Sequence, residues 1–396
     1  MKTKRIIFTG TSFENKGSAA MLICTSRMLK RLIPDAEFAV ASLNPKFDSQ
    51  WGLKYGLRIF NYRYNRYNFN LLLPFLYMLR EIMKADLVID LSGLSFTDHF
   101  GPLNAIVSSL NIFQCKLLGT PIIMYSQSMG PFKSRMIRLL AKLFLRRADL
   151  IIARGGKTKA YLGGIGIKKQ VHVHSDSSFV LQPAPTKEVN EILLKEGVEK
   201  EGGLMIGVSV NTRIYEVCDL QKPENSYVKL IAEVTDYLLE RLKAKVVFIP
   251  YEVKDNGYDD RFVAREIYKI ARNKRGMQLV ENEYGPEELK GVIGIFDLFI
   301  GCRFHSIIAS TSMLVPTLAI SWGHKYYEAM EMLGQEKYVC DYKTISSHQL
   351  VSLAEDALTR KEEIRKKLKI RVDKARQSAL QNAKLVKDFL DSRQLF

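Results

Sequence analysis

The chain has 396 residues, 47% of them hydrophobic and 26% charged, and a formal net charge of +17 at pH 7. This composition is typical of a folded protein and excludes a largely disordered one, while the length predicts two domains rather than one. The apolar stretches 71–79 and 307–320 are each interrupted by proline and fall short of the roughly 20 apolar residues that a membrane-spanning helix needs.

Other features of the sequence narrow the class of protein further. The five cysteines are scattered without CxxC spacing, so we expect neither a disulfide framework nor a metal site. The first eight residues lack the apolar run of a signal peptide, which leads us to expect a cytoplasmic protein. The positive charge favours polyanions, phosphorylated small molecules or an anionic membrane surface as partners. Because no nucleic-acid-binding motif accompanies it, we expect no nucleic-acid partner.

In the first half of the chain, short β-branched runs alternate with longer helical patterns. This alternation predicts an α/β fold with a parallel sheet covered by helices. The predicted strands are 5–9, 38–42, 87–90, 122–126, 150–153 and 171–174, and the predicted helices include 19–32, 105–118 and 134–147.

A polar, proline-bearing stretch at 181–187 predicts a linker, after which the alternation begins again. The second half has predicted strands at 205–210, 245–250, 298–301 and 317–321, predicted helices at 227–242 and 260–272, and long amphipathic helices at 347–392. We therefore predict a first Rossmann-like domain at 1–182, a second at 188–345, and C-terminal helices at 346–396.

Two doubly wound sheets joined by a short linker are expected to bind a ligand in the cleft between them, at the carboxyl ends of their strands. The residues that follow the predicted strands are therefore the candidates for function. After the first strand, Asn15, Lys16 and Gly17 lie at the mouth of a helix, where backbone amides can meet an anion. The segment is neither GxGxxG nor a P-loop, and a tight turn alone explains Gly10.

The third, fourth and fifth predicted strands lead into further candidates. Asp90 could act as a general base or a hydrogen-bond acceptor, or could simply cap the next segment, and Ser92 and Gly93 allow close approach to the backbone. Gln127 follows the next strand. Arg154 follows the one after, where it could grip a carboxylate or phosphate or form a structural salt bridge.

The helix predicted at 134–147 is strongly basic and also carries apolar residues. Such a helix could contact a membrane surface. The alternative is an ordinary helix that packs on the core and exposes a solvated cationic face.

The strongest candidates lie between the strand 298–301 and the helix that follows it. Arg303 and His305 would sit at the helix N-terminus, where an anion meets the helix dipole, unpaired amides and a guanidinium. Histidine can exchange a proton near neutral pH, which makes His305 a candidate for catalysis. Lys325, after the strand 317–321, is either a further cation for an anionic ligand or a surface lysine beside the packed aromatic ring of Trp322. Arg213 is also a candidate for substrate binding.

Taken in order, these segments resemble the polysaccharide pyruvyl transferase family from Ile6 to about Gly334. The matching elements are N-x-G at 15–17, G-x-P…Q-x-x-G-P from 119 to 131, D-x-x-F at Asp176 and Phe179, R-[LF]-H-[AS] at 303–306, and the run from Val315-Pro316 to Lys325. The chain departs from the family pattern at Ser18, at Gly155, and at 91–94, where one glycine stands in place of three.

The resemblance implies a glycosyltransferase-B-like pair of Rossmann domains. It also implies transfer of the enolpyruvyl carbon of phosphoenolpyruvate onto two hydroxyls of one sugar, giving a pyruvate ketal and phosphate. No cofactor is expected beyond phosphoenolpyruvate as co-substrate. In this hypothesis Arg303, with Arg154 or Lys325, grips the donor, His305 handles a proton or the leaving phosphate, and Asp90 activates a hydroxyl. A lipid-linked sugar acceptor would bring the protein to the anionic inner face of the membrane.

Two alternatives remain at this stage. A sugar-nucleotide glycosyltransferase of the same architecture could use Arg303 and Lys325 on a diphosphate, with Glu283 or Glu287–Glu288 on a ribose. A non-catalytic relative would retain the fold without turnover.

Overall fold

The computed structural model describes residues 3–61, 72–168, 171–199, 202–218 and 225–393. The chain forms two compact units: unit 1 comprises Met1–Val180 and Ala375–Phe396, and unit 2 comprises Leu181–Lys374. The boundary at Leu181 is the first residue of the predicted linker. Residues 346–396, predicted as a separate group of helices, are divided between the two units.

Unit 1 is built around a parallel sheet. Its strands are β1 (Arg5–Thr9), β2 (Glu37–Ser42), β3 (Arg58–Asn61), β4 (Leu87–Asp90), β5 (Leu94–Ser95), β6 (Ile122–Met129), β7 (Leu150–Ala153) and β8 (Val171–Val173). Its helices are α1 (Lys16–Leu32), α2 (Pro45–Lys54), α3 (Leu72–Met83), α4 (Gly101–Leu117), α5 (Arg135–Leu145) and α6 (Gly156–Gly164). The strand order is β3-β2-β1-β4-β6-β7-β8, and β5 pairs with β6.

Unit 2 repeats the same architecture. Its strands are β9 (Met205–Ser209), β10 (Lys245–Phe248), β11 (Met277–Leu279), β12 (Leu298–Gly301), β13 (Thr317–Ser321) and β14 (Val339–Asp341), in the order β11-β10-β9-β12-β13-β14. Its helices are α7 (Thr186–Lys195), α8 (Thr212–Val217), α9 (Ser226–Glu240), α10 (Asp260–Ile270), α11 (Pro286–Ile293), α12 (Phe304–Ser312), α13 (His324–Met332) and α14 (Ser347–Thr359). The last helix, α15 (Lys361–Ser392), begins in unit 2 and ends in unit 1.

The central strands of both sheets are buried along their whole length. All four residues of β4 and of β12 are buried, and so are the five of β13. A strand covered by helices on both faces has no solvent-facing side, so its sequence is a continuous apolar run rather than an alternating one. These runs are the reason that β1, β4, β7, β12 and β13 have the bounds predicted from the sequence.

The α/β fold class predicted from the sequence is confirmed. The strands that the sequence did not predict, β3, β5, β11 and β14, have only two to four residues each. Three of them lie at sheet edges, where fewer apolar positions are needed. Of the predicted apolar stretch 71–79, residue 71 lies outside the described residues. No helix in the described ranges has the length and hydropathy to span a bilayer.

A substitution at Gly207, in β9, tests how closely the core of unit 2 is packed. A Cβ atom at this position would lie 2.5 Å from Cε2 of Phe296 and 2.7 Å from Cδ2 of Phe299. Because both rings are buried in the core, we expect Gly207→Ala to lower the free energy of unfolding of unit 2 by about 1–3 kcal/mol. The chain has two tryptophans, so a Trp51→Phe background leaves Trp322 in unit 2 as the only tryptophan reporter in a urea titration.

The matched control is Gly202→Ala, also in unit 2, where an added Cβ meets no atom within 4 Å. Its unfolding midpoint should stay where the parent's lies. Equal midpoints for both alanine variants would show that Gly207 is not required by packing.

Candidate functional site

The candidates in unit 2 follow three adjacent parallel strands. Arg213 comes after β9, Arg303 and His305 after β12, and Lys325 after β13. These strands are neighbours in the order β9-β12-β13, and the carboxyl ends of parallel strands lie at one edge of a sheet. The structure therefore brings the predicted residues of the second half to a common edge.

Arg303 is held by two carboxylates. Its Nη2 lies 2.5 Å from Oδ1 of Asp260 and 2.6 Å from Oε2 of Glu252, and its Nε donates to both oxygens of Asp260 at 3.1 Å. The Arg303 side chain is 13% exposed and that of Asp260 is fully buried. We call Arg303, Asp260 and Glu252 the ion cluster of unit 2.

Asp260 is also an acceptor for the backbone around it. Its Oδ2 accepts from the amides of Tyr251 and Glu252 at 3.0 and 2.8 Å, and its Oδ1 accepts from the amide and hydroxyl of Thr212 at 3.2 and 3.0 Å. The ion cluster thus joins the segments that follow β9, β10 and β12. A buried charge is tolerated only when it is paired and hydrogen-bonded in this way.

The pKa values within the cluster follow from burial and pairing. Burial raises the pKa of Asp260, and Arg303 opposes that rise. Burial acts in the same direction on Glu252, but Arg303 and Lys254 outweigh it and hold the pKa of Glu252 below its usual value. Burial would lower the pKa of Arg303, yet the two carboxylates raise it. Arg303 is therefore a permanent cation, neutralised within its own unit.

His305 and Lys325 each occupy the second position of a helix, in α12 and α13 respectively. Neither helix has a side-chain hydrogen bond from its N-cap residue, Arg303 in one case and Gly323 in the other. The helix dipole favours an anion at such a terminus. Two of these termini follow neighbouring strands of one sheet.

Aromatic rings surround the Lys325 ammonium. Its Nζ lies 4.8 Å from the ring centroid of Trp322, 5.1 Å from that of Phe304 and 5.7 Å from that of Tyr326. Tyr326 in turn donates from its hydroxyl to the carbonyl of Cys302 at 3.0 Å, which ties α13 to the end of β12. Cation–π contacts of this kind stabilise the ammonium in its charged form.

Arg213 and the two carboxylates of the ion cluster differ in how the sequence indicated them. Arg213 is exposed and pairs with Glu216 at 3.1 Å, one turn along α8. Asp260 and Glu252 were not among the predicted site residues. The signals available in the sequence were the positions of the two residues: Asp260 begins the predicted helix 260–272, and Glu252 follows the predicted strand 245–250. Nothing in the sequence indicates that either residue pairs with Arg303.

In unit 1, Asp90 and Gln127 form one buried network. Nε2 of Gln127 donates to Oδ1 of Asp90 at 2.7 Å and to its carbonyl at 2.9 Å, and the amide of Ser92 donates to Oδ1 at 2.9 Å. Thr9 and Asn111 donate to Oδ2 at 3.3 and 3.4 Å. Asp90 is 0% exposed. These contacts favour the structural alternative, in which Asp90 holds the ends of β1, β4 and β6 in place.

Arg154 is also paired with a buried carboxylate. Its Nη1 lies 2.9 Å from Oδ2 of Asp176, with side-chain exposures of 5% and 2%, and its Nε donates to the carbonyl of Ser126. Burial lowers the pKa of Arg154 and Asp176 acts against this. Gly93 has a φ of +69°, and a Cβ there would lie 2.6 Å from Nη2 of Arg154. The glycine retained at this position therefore leaves room for the guanidinium.

Asn15, Lys16 and Gly17 form the start of α1. The Asn15 side chain accepts from the amides of Gly17 and Ser18 at 3.0 and 3.1 Å, which makes it the N-cap of the helix. Lys16 is 1% exposed, with its Nζ 5.0 Å from the ring centroid of Trp51 and 5.3 Å from that of Phe47. An anion at this helix terminus would have to displace the Asn15 cap.

A cavity of about 710 Å³ in unit 1 lies away from these residues. Arg5, Glu37 and Arg58, the first residues of β1, β2 and β3, contribute to its lining. It therefore opens at the amino-terminal edge of the sheet, opposite the candidates at the carboxyl edge.

Solved structures share the fold of this chain at low sequence identity. The Anabaena protein Alr3699/HepE, in complex with UDP and glucose, aligns with a TM-score of 0.62 at 12% identity, covering 98% of this chain and 100% of that one. The UDP-GlcNAc 2-epimerase of Neisseria meningitidis, bound to UDP-GlcNAc, aligns with a TM-score of 0.63 at 12% identity over 98% and 100% of the two chains. The fold is thus a glycosyltransferase-B-like pair of Rossmann-like units.

The sequence places the chain within this fold more narrowly. The model of the polysaccharide pyruvyl transferase family matches residues 15–324, and the chain belongs to that family. The amylovoran biosynthesis protein AmsJ of Erwinia amylovora is 25% identical over 299 residues, which cover 75% of this chain and 71% of AmsJ. Family membership supports a transferase that modifies polysaccharides. The predicted family resemblance is confirmed.

Asp260→Asn tests the ion cluster. The substitution keeps the size of the side chain but removes one of the two carboxylates that neutralise Arg303. Breaking a buried ion pair on one side leaves the other charge uncompensated, so we expect a loss of about 3 kcal/mol in the stability of unit 2. The fluorescence of Trp322 in the Trp51→Phe background measures that loss in urea.

Glu191→Gln is the matched control, because Glu191 is exposed on α7 of unit 2. A surface substitution of this kind should change stability by less than about 0.5 kcal/mol. If the two variants unfolded at the same urea concentration, the ion cluster would not be a determinant of the unit 2 fold.

Proposed function

We propose that the protein transfers the pyruvyl group of phosphoenolpyruvate to a sugar of a polysaccharide or glycolipid precursor. Two hydroxyls of the sugar add to the enol carbon and phosphate leaves, so that a cyclic ketal forms. The two protons lost by the hydroxyls are balanced by the proton that the methylene carbon gains and the proton that leaves with phosphate. Family membership supports this reaction class. The observation that carries the proposal is that α12 and α13, with His305 and Lys325 in their first turns, begin after neighbouring strands of one sheet.

Phosphoenolpyruvate carries a carboxylate and a phosphate, so its site requires positive potential from more than one source. The termini of α12 and α13 supply backbone amides and helix dipoles at neighbouring positions of one sheet edge. Lys325 adds a full charge beside them. In this proposal the two helix termini bind the anionic groups of the donor, and Lys325 balances the charge of the phosphate that leaves.

Proton transfer is assigned to His305. As phosphoenolpyruvate is protonated at its methylene carbon, the enol carbon becomes electrophilic and a sugar hydroxyl attacks it. A histidine in the first turn of α12 can supply or accept the proton that this step requires, or donate to the departing phosphate.

In this proposal Arg303 positions His305 and does not bind phosphoenolpyruvate. Two carboxylates already neutralise it, and in the described residues its Nη1 is the guanidinium nitrogen without a protein hydrogen-bond partner. By fixing the residue at which α12 begins, Arg303 sets the position of His305 two residues later. Arg154 remains a predicted donor ligand in unit 1, and the sugar acceptor is proposed from the family alone.

A second candidate, sugar-nucleotide transfer, is favoured by the UDP-bound proteins that share the fold. One of its predicted residues fits less well. Glu288 accepts from the amide of Gly285 as part of a capping box at the start of α11, so its carboxylate serves that helix rather than a ribose. Thermal-shift measurements with phosphoenolpyruvate and with UDP-glucose separate the two functions, since the ligand that raises the melting temperature identifies the donor.

His305→Ala and Lys325→Met test the proposed site. We expect His305→Ala to lower the rate of phosphate release from phosphoenolpyruvate by about 10²- to 10⁴-fold, because it removes the general acid–base group. We expect Lys325→Met to raise KM for phosphoenolpyruvate by at least about tenfold. Initial rates of phosphate release with a sugar acceptor measure both.

Lys274→Met is the matched control, because Lys274 is an exposed lysine of unit 2 that lies 5.2 Å from the ring centroid of Tyr268. This substitution should leave the rate of phosphate release and KM for phosphoenolpyruvate unchanged. Phosphoenolpyruvate labelled at the oxygen that bridges carbon and phosphorus adds a check on the reaction class. Ketal transfer leaves the label in phosphate, whereas label found in pyruvate, or wild-type rates for His305→Ala, would refute the proposal.

A further inference from the structure

Helices α4 and α5, which pack beside each other in unit 1, expose a large apolar surface. Ten of the 24 large hydrophobic residues that the described structure exposes belong to these helices or directly precede them, with exposures of 37–69%. We call them the α4–α5 face: Phe100, Leu103, Ile106, Val107, Leu110, Phe113, Leu117, Met136, Leu139 and Leu143. A concentration of exposed apolar residues of this kind usually marks an interaction site.

The spacing in α4 shows that this surface is additional to the core contact. Ala105, Ile112 and Cys115 face inward and belong to the hydrophobic core of unit 1. Leu103, Val107, Leu110 and Leu117 recur at helical spacing on the outer side. A helix that only covered its sheet would need one apolar stripe, and α4 has two.

Positive charge accompanies the apolar residues without any negative charge. Between residues 99 and 148 there are seven lysines and arginines and no aspartate or glutamate: Lys116, Lys133, Arg135, Arg138, Lys142, Arg146 and Arg147. All except Lys116 are exposed. In α5 the cations Arg135, Arg138 and Lys142 each precede an exposed apolar residue by one position, so a cationic stripe adjoins the apolar one.

The nearest acidic residues in the sequence are already engaged. Asp98 accepts from the amides of Lys133 and Ser134 at 2.8 Å each, which fixes the start of α5. Asp149 pairs with Lys116 and accepts from the amide of Ile122 at 2.8 Å. Neither carboxylate neutralises the stripe on α5.

We propose that the α4–α5 face docks on an anionic lipid bilayer. A polyanion in solution would satisfy the cations but leave the apolar residues in water, and a second copy of the chain would bring like charges together. A bilayer of anionic lipids accommodates both, because the apolar side chains enter the headgroup boundary while lysines and arginines contact the phosphates. The inference rests on unit 1 alone and does not depend on the proposed reaction.

Vesicle co-sedimentation of the full chain tests the docking. We expect binding to vesicles of equal parts phosphatidylcholine and phosphatidylglycerol, little binding to phosphatidylcholine alone, and release as salt increases. Leu139→Ser with Leu143→Ser should weaken binding by at least about tenfold through loss of apolar burial. Arg135→Gln with Lys142→Gln should weaken it by about tenfold through loss of charge.

The matched control changes an exposed apolar residue and two exposed lysines elsewhere, in α15: Ile370→Ser with Lys366→Gln and Lys369→Gln. It should bind vesicles like the parent, and circular dichroism should show the same helix content in all variants. Equal binding to neutral and anionic vesicles, or binding unchanged in both α5 variants, would overturn the proposal. So would a lipid-free dimer that Leu139→Ser dissociates.

Discussion

The ion pair between Arg303 and Asp260 is the constraint on which the carboxyl edge of unit 2 depends. Asp260 is fully buried, and its four backbone and hydroxyl donors come from the segments after β9 and β10, while Arg303 follows β12. Buried charges are stable only when they are paired and hydrogen-bonded. The pair therefore holds the segments after β9, β10 and β12 in one arrangement. The start of α12, and with it His305, takes its position from this arrangement.

Both units contain an arginine that is paired with a buried carboxylate. In each, an arginine after an internal strand of the sheet is neutralised by a buried carboxylate of its own unit, Asp176 for Arg154 and Asp260 for Arg303. Arg154 and Arg303 therefore stabilise the fold of their units through these ion pairs. The ammonium of Lys325 lies against aromatic rings, which stabilise a cation through cation–π contacts. The chemistry of the proposed site is thus centred on His305 and Lys325.

The buried strands could be predicted because each is a continuous apolar run in the sequence. The candidate residues at their ends could be predicted because the carboxyl ends of parallel strands lie at one edge of a sheet. It did not predict partners that meet only in the folded chain. Arg303 and Asp260 are 43 positions apart, and no local pattern joins them. Lys16 was interpreted as a ligand from its place at a helix mouth, yet Phe47 and Trp51 surround it and it is 1% exposed. Burial of this kind depends on α2, which the sequence did not reveal.

The basic helix α5 shows where side-chain exposure decides between two interpretations. From the sequence, a cationic amphipathic helix can pack its apolar side on the core or present it to a membrane. In the structure one apolar side packs on the core and a second is exposed, because Ile137, Ala141 and Leu145 are buried while Met136, Leu139 and Leu143 are 44–56% exposed. An ordinary core-packing helix has no need of the second set. The exposed leucines beside the cationic stripe are therefore better explained by an interaction surface than by solubility, since water alone favours the charges but not the leucines.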